Sequence, residues 1–137
     1  YENIDCKLAT NLILEENAKL LLLFKQHLLN NRLSRHSINK HLQNVEFYIN
    51  EYLLYDNYTP AHKGAQCIDR FFGWFFPTKV MWSSLAATKT NLASIKQFYL
   101  FLNDEKIIDT TDYYSMLTTI KNELNQWLSH YKEEDPW

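Results

Sequence analysis

The sequence predicts an all-α bundle, and three observations carry that prediction. Apolar residues recur at three- and four-residue spacing through five separate stretches, and no stretch reads as a convincing strand. Only two glycines and three prolines stand among 137 residues, where average usage gives about ten and about seven, so material for tight hairpin turns is scarce. Hydrophobic residues make up 46% and aromatics 15% of the chain, which excludes disorder, while no apolar run reaches the roughly 20 residues that a bilayer crossing needs.

The first helix follows from residues 20–29, where Leu20, Leu21, Phe24 and Leu28 share one face and Lys25, Gln26 and His27 lie opposite. Asn30-Asn31-Arg32 breaks it. Ser34 is an N-cap for a second helix whose apolar positions Ile38, Leu42, Val45, Ile49, Tyr52 and Leu53 step by three and four. The polar, proline-marked run from Tyr55 to Pro60 is the one sizeable internal connection. A third, heavily aromatic helix begins near Pro60 or Ala61, passes through Ile68, Phe71, Phe72 and Phe75, with Trp74 in the same core cluster, and ends at Pro77, which lacks a donor. The fourth runs from about Ser84 to Leu102 with Leu85, Thr88, Leu92, Ile95, Tyr99 and Leu102 on its stripe. Asn103-Asp104-Glu105-Lys106 closes it. A fifth, capped by Thr110 or Thr111 with Asp112 in its first turn, carries Tyr113, Leu117, Ile120, Leu124, Trp127, Leu128 and Tyr131.

The net charge of −2 argues by itself against a general polyanion binder. Its order along the chain says more. Lys19, Lys25, Arg32, Arg35 and Lys40 follow one another with no acid between Glu16 and Glu46, and Arg70, Lys79, Lys89 and Lys96 do so between Asp69 and Asp104. The remaining segments are all acidic, most strongly residues 104–137. If helices two and four lie side by side, Arg35, His36, Asn39, Lys40, Gln43, Lys89, Asn91 and Lys96 form one polar, basic face. Lysine and arginine there would neutralise phosphates, and the amides would position a backbone or read base edges.

These helices resemble the SAM-like core-binding domain of tyrosine recombinases and phage integrases. Leu33-Ser34-Arg35-His36-Ser37-Ile38, followed by Leu42, Val45 and residues 47–49, is similar to the opening of that domain's second helix. Residues 91–102, from Asn91-Leu92-Ala93-Ser94-Ile95-Lys96 to Leu102, resemble its fourth, and residues 68–75 its third. The resemblance divides the chain into an N-terminal extension, 1–17, a core-binding domain, 18–108, and an additional amphipathic C-terminal helix, 109–137. It implies half of a clamp around duplex DNA, with helices two and four in adjacent major grooves. Its DNA-facing positions map to Arg35, His36, Asn39, Lys40 and Gln43, and to Lys89, Thr90, Asn91 and Lys96. Two departures weaken the phosphate grip and the hand-over to catalysis. His41, Leu42 and Gln43 stand where relatives carry a tyrosine and two basic residues, and Asp109-Thr110 replaces an asparagine-proline pair.

Catalysis by that family needs a tyrosine nucleophile beside two arginines, a lysine and a histidine. The chain has only Arg32, Arg35 and Arg70, none three residues after a histidine, so it is expected to carry no catalytic residue. The five histidines lack metal-ligand spacing on one helix turn, Gly64 and Gly73 make no phosphate loop, and no cofactor is expected. Cys6 and Cys67 read as a reduced pair, and residues 1–7 lack a basic leader, which together predict a cytoplasmic chain, one excised from a longer protein because it lacks an initiator Met. A second function is open to the same sequence: a protein-interaction module in which Trp127 and Tyr131 of the last helix dock on a partner or a second copy.

Overall fold

Five helices form an all-α bundle, and no strand occurs among the described residues. The computed structural model describes residues 2–131; Tyr1 and residues 132–137, the distal end of the C-terminal segment, lie outside it. Helix α1 is Glu2–Asn30. Helix α2, residues 35–57, consists of Arg35–Glu46, a widened π-helical Phe47–Tyr52 and Leu53–Asn57. Helix α3, residues 61–79, opens as a tight 3-10 segment Ala61–Cys67 and widens at Phe71–Phe75 before ending at Lys79. Helices α4 and α5 are Leu85–Asp104 and Thr110–Ser129.

The scarcity of glycine shows at the helix ends. Three helices stop at a residue in the left-handed region, and all three are non-glycine: Arg32, Tyr58 and Lys106, with φ of 62°, 51° and 62°. Each such residue costs about 1 kcal/mol, which the packing around it must offset. Ser34 caps α2 as expected, its Oγ accepting from the Ser37 N–H at 3.1 Å, and Ser84 caps α4 in the same way from the Ala87 N–H at 3.0 Å. Asp109, not a threonine, holds the cap position of α5, and Thr110 instead donates to Asn103 Oδ1.

Helix α1 is far longer than its clean periodicity. The boundary expected between residues 17 and 18 falls inside it, because the earlier turns have partners of their own. Asn17 is fully buried and its Nδ2 donates to the Ile49 carbonyl, in the widened turn of α2, at 3.1 Å and to Asn50 Oδ1 at 2.8 Å. One turn of π geometry re-aims backbone carbonyls, and Asn17 takes up one of them. Farther out, the nearby Cys6 thiol holds the Tyr58 pKa above its ordinary value.

Pro77 does not end α3. The Phe76 N–H reaches back to the Phe71 carbonyl, five residues earlier, and this wide turn accommodates a ring and a missing donor that a regular turn would not. Two further corrections concern the stripes. Leu85 is 43% exposed, and Trp74 is only partly buried, with the Arg70 guanidinium 4.4 Å above its ring.

The core is built from aromatics on all five helices, among them Phe24, Tyr48, Phe71, Phe98 and Trp127. Two fully buried tyrosines place their hydroxyls on backbone acceptors: Tyr48 donates to the Gly64 carbonyl at 2.7 Å and Tyr99 to that of Ala61 at 2.8 Å. Both acceptors lie in the 3-10 opening of α3, so α2 and α4 together hold that segment. Burial pushes both phenols well above the ordinary pKa. A side chain at position 64 would strike the Tyr99 hydroxyl and Leu53 Cδ1, which is why one of the two glycines stands there.

Candidate nucleic-acid interface

Helices α2 and α4 do lie side by side, in extensive contact. Their seam is a polar node rather than a row of apolar side chains. Ser94 Oγ donates to the Thr90 carbonyl at 3.1 Å, lies 2.8 Å from His41 Nδ1 and accepts from Asn44 Nδ2 at 3.0 Å. A hydroxyl has one proton to give, so when Ser94 gives it to Thr90 the neutral His41 ring donates from Nδ1, and when Ser94 gives it to His41 the ring accepts there.

The seam fixes the rotation of each helix and therefore where the expected residues point. Arg35, His36, Asn39, Lys40 and Gln43 are all exposed on α2. Lys40 lies one turn before Asn44 and close to the seam, whereas Arg35 and Asn39 turn toward α1 and line a groove of about 300 Å³ with Lys25, Leu29, Leu33 and Ile38. On α4, Lys89, Thr90 and Lys96 are exposed. Thr90, whose carbonyl binds Ser94, borders the seam.

Lys89 and Lys96 do not border it. At about 100° per residue they stand roughly 140° and 160° round α4 from Ser94, and Lys96 lines a groove of about 210 Å³ with Gln97, Leu100 and Tyr113 of α5. Asn91 leaves the surface altogether: it is 2% exposed, and its Nδ2 donates to the Ala87 carbonyl at 2.8 Å. The single face expected from sequence therefore divides: Lys40 and Thr90 border the seam, His36 and Gln43 are exposed elsewhere on α2, Arg35 and Asn39 turn toward α1, and the two lysines stand on the side of α4 away from α2.

Residues 41–43, where the resemblance shows its main departure, also separate. His41 belongs to the seam, Leu42 packs against the core, and only Gln43 faces out. Sequence reasoning overlooked Lys25 and Arg32 as members of this surface. Lys25 shares the groove with Arg35, and Arg32 is exposed on the turn just before α2. The signal that points to them is the acid-free run itself.

Trp127 and Tyr131, offered above as docking residues, are consumed by the chain's own bundle. Trp127 is fully buried, its Nε1 donating to Asp69 Oδ1 at 2.8 Å and its ring 5.1 Å from that of Phe72; Tyr131 is 8% exposed. No helix among the described residues is long and apolar enough to cross a membrane. Comparison with protein-family models, with curated proteins and with solved structures finds no match to this chain.

Burial holds the His41 pKa below its ordinary value of 6.5, which gives the seam a pH signature. With the folded value lowered, the unfolded chain binds more protons as pH falls through 6.5, so this site loses stability on acidification. The urea midpoint of the wild type is expected to drop between about pH 7.5 and about pH 5.5, and that of His41→Gln to drop less. Equal drops in the two proteins would remove His41 from the account.

Proposed function

We propose that the chain is a duplex-DNA-binding module of the recombinase core-binding type, with a binding rather than a catalytic role. The observation that carries the reading is the contact of α2 with α4. It joins the first three turns of α2 to α4, stretches that carry cations and no acid before Glu46 and before Asp104, in a chain whose net charge is −2. Lys25, Arg32 and Arg35 lie where α1 passes into α2, Lys40 lies farther along α2 toward the seam, and all four are exposed. They supply the phosphate contacts that position a duplex, while Asn39, His36 and Gln43 stand where side chains meet base edges. Lys89 and Lys96 stand away from these residues and reach outlying phosphates only if the duplex wraps around α4.

A salt titration tests the proposal. About five neutralised phosphates predict log K falling against log salt with a slope near −4 to −5. Labelled duplexes of unrelated sequence should bind at low salt and share that slope. A flat response, or no binding at low salt, sinks the reading.

A further inference from the structure

The inward face of α1 accounts for Asn17, Leu20, Phe24 and Leu28, all buried. Its outward face is not an ordinary polar surface. Leu8, Leu12, Leu22 and Leu29 are 55%, 56%, 63% and 48% exposed, and Leu23, beside Leu22, is 50% exposed. The four aligned leucines fall on one repeat with spacing four, three, four, three, whose intervening members are Glu15, Lys19 and Gln26, also exposed. A repeat of 3.5 residues sustained over three heptads is the spacing of a two-stranded coiled-coil seam, and four of its seven positions here are leucine. Nothing in the bundle requires it, since the core is satisfied from the other side of the helix.

The charges on this stripe choose the occupant and its direction. In a parallel pair Glu15 would face Glu15 and Lys19 would face Lys19, setting like charges together at the centre. Antiparallel pairing about residue 17 instead puts Glu15 of one copy against Lys19 of the other, twice, and Leu12 against Leu22, twice, with Leu8 opposite Gln26 and Leu29 opposite position 5, an aspartate, at the two ends. The middle of the stripe, residues 12–22, is therefore complementary to itself under a two-fold axis, which is the condition for a closed dimer. We propose that the outer face of α1 is the interface through which two copies of this chain pair antiparallel. This rests on α1 alone and is independent of DNA binding.

The test is sedimentation equilibrium of the full chain, with helicity followed by circular dichroism. The wild type is expected to be a dimer, and Leu12→Glu or Leu22→Glu to sediment as a monomer with unchanged helicity. Glu15→Lys alone and Lys19→Glu alone should each raise the dissociation midpoint by about tenfold. The double variant Glu15→Lys/Lys19→Glu should return it to the wild-type value, because the swap restores both opposite pairs. A monomer mass up to roughly 1 mM, an assembly larger than two, or a dimer indifferent to the single charge reversals overturns the proposal.

Discussion

Replacing Trp127 with alanine is expected to destabilise the protein by about 3–5 kcal/mol, the range for emptying a large aromatic site. Two losses combine. The fully buried indole leaves a cavity against Phe72, and its N–H no longer reaches Asp69 Oδ1 across 2.8 Å. Trp127→Phe separates these terms in part, since it keeps one aromatic ring in the site and removes the donor with a smaller cavity, at about 1–3 kcal/mol. Urea unfolding followed by circular dichroism reads both. A loss below about 1 kcal/mol for the alanine variant would mean that α5 does not depend on this contact, and that the acidic C-terminal helix is an appendage.

Reversing charge at Arg35 and Lys40 together is expected to weaken duplex binding by about a hundredfold or more and to reduce the salt slope by about two. The loss should be nearly uniform across sequences, because phosphate contacts position without specifying. Both side chains are exposed and make no part of the Ser94 node, so the urea midpoint should stay close to wild type. Lys121→Glu, on the exposed surface of α5, is the control, with little change expected. Equal effects from Lys121→Glu and the double variant would point to the overall charge of the chain rather than to this surface.

The helices were legible because burial against a common core writes itself into sequence as three- and four-residue spacing. Ile38, Val45, Phe71, Ile95 and Ile120 are buried where that spacing puts them. The first half of helix α1 escapes the spacing rule because its polarity is inverted. Asn17 is buried while Leu8 and Leu12 are exposed, so no apolar stripe marks the inward side of those turns. Pro77 misled for a different reason. A proline stops a regular turn, but the widened one before it forms through aromatic packing that no local rule contains.

Of the candidate surface, the residue types and the charge order were legible, and the rotation of the helices was not. Asn91 and Lys96 are five residues apart on the same helix, and each could have faced a ligand. The core takes the first, and the groove against Tyr113 takes the second. What the sequence by itself determined is the all-α class, the number of helices and the concentration of cations on two segments. Only the tertiary structure decided which polar groups go inside. Ser94 is buried because His41 and Asn44 reach it from 53 and 50 residues away, and Asn17 because Ile49 offers a carbonyl from 32. A buried polar group is tolerated when it is hydrogen-bonded. Its partner is chosen by how the helices pack, which a spacing along the chain does not record.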